Sequence, residues 1–142
     1  MISYRVAVRN DAEVVAQLLT ELGHANSLQE ISERWVSWSA VQENKVWLAS
    51  TPAGEVVGLA IVGISPSLYR PYPVARLWAL VVRENYRSRG YGRAFLSFIE
   101  AGAREKGCGL LELTSNVVRV EAHRFYESYG YSRSSFRFSK GL

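Results

Sequence analysis

The residues Arg87-Ser88-Arg89-Gly90-Tyr91-Gly92-Arg93 bring together groups suited to holding phosphate. Glycine lacks a Cβ, so backbone at Gly90 and Gly92 can approach a ligand closely and adopt positive φ. Arg87, Arg89 and Arg93 add charge-assisted donors for anionic oxygens. The stretch lies between an apolar run at residues 74–82 and a segment at 93–106 that places Phe95, Leu96 and Ile99 on one helical face. A strand–loop–helix succession sets helix N-terminal N–H groups, with their partial positive charge, beside the loop. The chemistry this permits is the cradling of a pyrophosphate. The same residues would also suit a tight turn with solvated arginines, so spacing must narrow the choice. A dinucleotide fingerprint G-x-G-x-x-G requires glycine where Phe95 stands, and a Walker loop requires Gly-Lys-Ser or Gly-Lys-Thr, which the chain lacks.

A second motif follows about thirty residues later, Ala122-His123-Arg124-Phe125-Tyr126-Glu127-Ser128-Tyr129-Gly130-Tyr131. Leu80-Val81-Val82, three further residues and Tyr86-Arg87-Ser88-Arg89-Gly90-Tyr91-Gly92 resemble motif A of the GNAT acetyltransferase superfamily, R/Q-x-x-G-x-G/A. The later segment is similar to that family's A-x-x-F-Y-E-x-x-G-F helix and strand. The resemblance covers nearly the whole chain. It implies an N-acetyltransferase using acetyl-CoA as co-substrate, with a primary amine on a small molecule or peptide attacking directly in a ternary complex. It implies a mixed sheet, splayed between the strands on either side of the motif A helix, with the pantetheine arm along backbone at Leu80, Val81 and Val82. The amides and side chains of Arg87, Ser88, Arg89, Gly90, Tyr91, Gly92 and Arg93 would hold the pyrophosphate. Tyr126 would give a proton to the departing thiolate, with Phe125 packing beside the cofactor. A cofactor sensor without catalysis is the alternative, followed by a basic nucleic-acid-binding domain.

Acetyl transfer to an amine needs a neutral nucleophile, a stabilised oxyanion and a stabilised leaving group. The sequence leaves the base for the amine open. Some relatives place glutamate on the strand before motif A, whereas residues 75–82 carry no carboxylate and put Trp78 at the corresponding place. A water relay or Glu112 could substitute, with His24 and His123 behind them. The family asparagine that contacts pantetheine corresponds by spacing to Arg119, and Asn116 is preferred for that role on a longer connection. Trp35, Trp38 and Trp47 read as core. Cys108 has no paired base and reads as inert.

The elements that must position these groups form the order βααβββαβαβ, an α/β (α+β) arrangement with helices on both faces of the sheet. Asn10 with Glu13, and Ser27 with Glu30, have the spacing of capping boxes that start two helices. Residues 74–82 read as a strand buried on both faces, 110–114 as the next strand, and 131–139 as a last strand. On that last strand Phe136 and Phe138 alternate with polar residues, an edge on which two copies could form a homodimer. The length of 142 residues fits one domain, residues 1–142, and the single Cys108 excludes an internal disulfide. With no apolar run long enough for a bilayer and no signal-peptide core, a cytoplasmic protein without membrane contact is expected. The net charge of +4 suits any polyanionic ligand, and seven of the 17 Lys and Arg residues lie around the glycine loop and the elements after it. No helix-turn-helix, zinc or RNA-binding signature accompanies that charge, so nucleic acid is not the expected partner.

Overall fold

A computed structural model describes all residues, 1–142. The chain divides into two compact units, Met1–Glu112 and Leu113–Leu142. A five-stranded sheet is formed by β1 (Ser3–Val6), β2 (Asn44–Ser50), β3 (Val56–Ser65), β4 (Val74–Val82) and β5 (Leu110–Leu113), in that spatial order. The first four strands pair antiparallel with their neighbours. The helices are α1 (Ala12–Leu22), α2 (Leu28–Ala40), α3 (Tyr91–Glu105) and α4 (Val120–Ser128). None is long and apolar enough to cross a membrane.

Strand periodicity assigns the two faces of the sheet. Leu48, Leu59 and Val81 are cross-strand partners, and they join Val15, Leu18 and Ile31 of α1 and α2 in one buried core. Trp35 and Trp38 pack against that core from α2, as expected. On the opposite face Tyr4 stacks on Phe98 of α3 at 4.3 Å, and Trp47 meets the same ring edge-on at 4.9 Å. Gly58 lies beneath α3, where a Cβ would stand 3.3 Å from the Phe95 ring, so a larger residue there would crowd the helix. Helices thus cover both faces, and the α/β assignment holds.

Local signals placed most helix ends. Ser27 accepts the Glu30 amide at 3.1 Å while Glu30 accepts the Ser27 amide at 2.9 Å, the reciprocal pair expected at the head of α2. Gly23 closes α1 at φ 105°. At the head of α1 the expected Asn10–Glu13 pair is not used. Asp11 stands at the N-cap of α1 without a side-chain cap bond to it; its carboxylate reaches back over the 3-10 turn Arg9–Asp11 to accept the Val8 amide at 2.8 Å and two Arg5 guanidinium donors at 2.8 Å.

Two strand expectations need correction. β4 is not buried on both faces: Ala75, Leu77, Ala79 and Val81 are buried, whereas the alternate residues are partly open and Trp78 is 57% exposed. The expected last strand at 131–139 does not form, so the order ends at α4. The polar run Ser132-Arg133-Ser134-Ser135 enters no ladder, and a strand without a partner leaves its backbone groups to water. Phe136 and Phe138 are 90% and 92% exposed, and the strand edge on which a homodimer was expected is absent.

Candidate active site

The end of β4 is fixed before the glycine loop begins. The Arg83 amide donates to Val57 O and its Nε to Val56 O, both at 2.8 Å, which ties the strand end to β3. Its Nη2 reaches Gln17 at 3.1 Å and its Nη1 lies 3.5 Å from Glu21, both on α1. Glu21 also accepts the Glu84 amide at 3.0 Å. A 3-10 turn over Glu84–Tyr86 follows, and Arg87 folds back so that its Nε donates to Val82 O at 3.0 Å. Tyr86 donates to the Glu55 carboxylate, which raises its phenol above the ordinary value. Arg89 lies over the Tyr86 ring at 5.0 Å, and the Tyr91 ring lies 6.2 Å from it. Arg87, Ser88, Arg89 and Gly90 are exposed on this fixed base.

The backbone there departs from ordinary geometry in two places. Gly90 is the N-cap of α3 at φ 82°, and Ser88, which carries a Cβ, also takes positive φ, at 61°. Such conformations cost energy and concentrate at ligand sites. Gly90 supplies no side-chain cap, and the first intrahelical bond runs from the Ala94 amide to Gly90 O at 3.0 Å. The Tyr91 and Gly92 amides therefore precede the hydrogen-bonded ladder of the helix. Helix α3 starts at Tyr91 rather than near 93, so Gly92 is helical and needs no positive φ. Its expected conformational role passes to Gly90 and Ser88.

Along β4, Val81 is buried in the core while Leu80 and Val82 are half-buried. The pairing with β3 slips between Ile61 and Val62: Ile61 faces Ala79 and Val62 faces Leu77, leaving Trp78 as an extra residue. This is a β-bulge, which bends a strand and re-aims its side chains. Arg76 lies 4.7 Å over the Trp78 ring and its Nη1 is 3.5 Å from Glu112. Glu112, a candidate base, is therefore already an ion-pair partner. The strands β4 and β5 begin level, since the Gly109 amide donates to Pro73 O at 3.2 Å. β4 has nine residues and β5 four, so β4 outruns its neighbour towards the loop. The Tyr72 ring lies directly against Gly109, a contact that leaves no room for a Cβ.

In the second unit, α4 carries Phe125 and Tyr126. Phe125 meets Tyr126 at 5.2 Å and Tyr129 at 5.0 Å, and Tyr126 meets Tyr131 at 5.6 Å, all edge-on. The Tyr131 amide donates to Tyr126 O at 3.1 Å, and Gly130 turns the chain at φ 92°. Burial raises the Tyr126 phenol above its ordinary value, with Arg119 opposing, so the hydroxyl keeps its proton at neutral pH. Asn116 does not end a strand. β5 stops at Leu113, and Asn116 forms a turn in which its Oδ1 accepts the Val118 amide at 3.1 Å. Arg119 is the N-cap of α4. His123 is half-buried, with Nε2 2.8 Å from Asn116 O. The Cys108 thiol is raised, first by burial and then by Glu43, as an inert cysteine should be. The bulge, the Arg76–Trp78 stack and the strained Ser88 were not legible as motifs; only Arg76 and Trp78, in a strand otherwise built of small and aliphatic residues, hinted at the first two.

Comparison with known proteins supplies the context. Residues 12–131 match the model of the acetyltransferase (GNAT) family. The aminoalkylphosphonate N-acetyltransferase of Salmonella typhimurium is 38% identical over 89 residues, 63% of this chain and 58% of that protein's own length. An aminoglycoside N(6')-acetyltransferase type 1 of Stenotrophomonas maltophilia is 31% identical over 133 residues, 92% of this chain and 86% of that protein. In fold, a transcriptional regulator from Bacillus halodurans superposes with a TM-score of 0.89 over the whole of both chains at 22% identity. Motif, sheet order and family match agree: the chain belongs to the GNAT acetyltransferase family.

Proposed function

We propose that residues 1–142 act as one domain that transfers an acetyl group from acetyl-CoA to a primary amine, by direct attack in a ternary complex. The head of α3 carries this reading. Gly90 caps the helix in the left-handed region with no side-chain cap, and a Cβ there would meet no protein atom within 4 Å. The Tyr91 and Gly92 amides stand at the positive end of a fifteen-residue helix, and exposed Arg87 and Arg89 flank them. Those groups suit a pyrophosphate, and family membership supports acetyl-CoA as its bearer.

Acetyl-CoA supplies an activated thioester; the residues of this chain do the rest. Arg87, Ser88, Arg89, Gly90, Tyr91, Gly92 and Arg93 hold the pyrophosphate. Backbone at Leu80, Val81 and Val82 holds the pantetheine, and the Leu80 N–H donates to the carbonyl oxygen as negative charge develops. Asn116 and Phe125 line the pantetheine. As the nitrogen–carbon bond forms and the carbon–sulfur bond breaks, Tyr126 gives its phenol proton to sulfur. The surplus amine proton passes to Glu112 or to water, since β4 offers no carboxylate. Both named relatives acetylate amine compounds by their names, one an aminoalkylphosphonate and the other an aminoglycoside, which supports a small-molecule acceptor.

The test is an acetylation assay over a panel of amines together with acetyl-CoA binding. Release of free CoA that depends on an amine, with the N-acetyl product formed in equal amount, is expected. Binding of acetyl-CoA without product from any amine would leave a sensor rather than an enzyme.

A further inference from the structure

We infer that Glu21 of α1, through Arg83 and the Glu84 amide, is a positioning residue that presets the exposed turn 87–90 to receive the pyrophosphate. This rests on the acetyl-transfer reading above, and it adds a determinant of acetyl-CoA affinity that lies outside the glycine loop.

The turn is held from its two ends. Arg87, Ser88, Arg89 and Gly90 are exposed, yet Ser88 takes φ 61°. A residue with a Cβ keeps that conformation only where the surroundings impose it. Downstream, Phe95 and Leu96 anchor α3 in the core, at 1% and 2% exposure. Upstream the anchor is polar. The Arg83 amide and Nε donate to Val57 O and Val56 O, both at 2.8 Å. Its Nη2 donates to Gln17 Oε1 at 3.1 Å, and its Nη1 lies 3.5 Å from Glu21 Oε2. The other oxygen of Glu21 accepts the Glu84 amide at 3.0 Å. One carboxylate thus holds the side chain of Arg83 and the backbone of the next residue, four positions before Ser88. Tyr86 on Glu55 and Arg87 Nε on Val82 O complete this end. A turn ordered in advance lowers the ordering cost of binding.

The charge of Glu21 separates anchoring from simple electrostatics. Glu21 stands in the last turn of α1, which carries no basic residue. A carboxylate there faces the negative end of the helix dipole, so α1 itself gains nothing from it. Its compensating contacts are those at Arg83 and Glu84. A carboxylate in this neighbourhood also repels an anionic ligand through its field. As a charge, then, Glu21 opposes the binding of a pyrophosphate. As an anchor for the chain that leads into the turn, it favours that binding. The two effects have opposite sign, so the sign of the change on removing Glu21 tells them apart.

Calorimetric titration with acetyl-CoA reads that sign, on the unmodified protein, Glu21→Ala and Glu21→Gln. Hydrogen exchange at the amides of residues 84–92 in the free proteins reads the order of the turn. Glu21→Ala should weaken acetyl-CoA binding by about 3- to 30-fold, the scale on which residues away from a ligand modulate its affinity. Exchange at residues 84–92 should quicken in the same variant. Glu21→Gln keeps an oxygen for the Glu84 amide and loses the charge, so its affinity should fall between the other two. A residue that served stability alone would lower the urea midpoint and leave acetyl-CoA affinity as it was. Binding by either folded variant as tight as by the unmodified protein, or tighter, would overturn the inference. Failure of the unmodified protein to bind acetyl-CoA would instead strike the parent reading, and this inference would fall with it.

Discussion

The two ends of β4 use different chemistry. Its C-terminal end leads into backbone features: positive φ at Ser88 and Gly90 and the opening amides of α3. Its N-terminal half carries side-chain features, the Arg76–Trp78 stack beside Glu112. Backbone amides recognise phosphate in any sequence that supplies the glycine and the helix, so that end can be shared by proteins with different substrates. Side chains recognise what a particular acceptor offers. On the proposed function, the C-terminal end of β4 serves the donor that the family shares.

Three substitutions sharpen or break this contrast. Tyr126→Phe keeps the ring contacts with Phe125 and Tyr131 but removes the proton donor. General acid catalysis contributes about 10²–10⁴-fold, so kcat and kcat/KM should fall together by that order while acetyl-CoA affinity stays nearly constant. Near-normal kcat, measured where chemistry limits the rate, would reduce Tyr126 to a packing residue. Gly63→Ala acts at the Trp78 end of β4, away from the glycine loop. Its Cβ would stand 2.8 Å from Asn44 Oδ1 and 3.2 Å from Trp78 Nε1, so both side chains must shift. Overpacking of this kind costs about 1–3 kcal/mol, and KM for the acceptor should rise severalfold with acetyl-CoA binding unaltered. A rise confined to KM for acetyl-CoA would show that the two ends are not separable.

Asp11→Asn touches neither end and should change stability alone, by about 1 kcal/mol. Its hydrogen bond from Arg5 holds the Asp11 carboxyl below the usual carboxylate range. A depressed carboxyl contributes stability that is present above the unfolded pKa and lost as pH falls through the folded one. The difference between Asp11→Asn and the parent should therefore shrink in acid, and urea unfolding at neutral and acidic pH reads it.

Legibility followed the same division. The loop, the capping box at Ser27 and Glu30, and the αL stop at Gly23 were readable because each depends on residues adjacent in sequence. The Asn10–Glu13 pair gave way to a 3-10 turn held by Asp11, whose carboxylate is tied to Arg5 on another element and to the Val8 amide. The bulge at Trp78 depends on how β3 and β4 register, and no spacing within β4 announces it. The expected strand at 131–139 had the right alternation in Phe136 and Phe138 but no partner for its backbone, and alternation alone does not make a strand. Asn116 lies in a turn three residues beyond the end of β5, because its Oδ1 accepts the Val118 amide, a local bond that no spacing announces.

The central claim is that the head of α3 holds the pyrophosphate of acetyl-CoA, and thermal unfolding with and without acetyl-CoA tests it most directly on the parent protein, Gly90→Ala and Gly90→Glu. Both variants carry the same backbone strain at φ 82°, and in both the Cβ enters space with no atom within 4 Å beyond its chain neighbours. Only glutamate adds negative charge. Acetyl-CoA should raise the unfolding temperature of the parent and, by a smaller amount, of Gly90→Ala, because a ligand specific for the folded state shifts the equilibrium. It should leave Gly90→Glu unmoved. Equal stabilisation of a folded Gly90→Glu by acetyl-CoA would contradict the account.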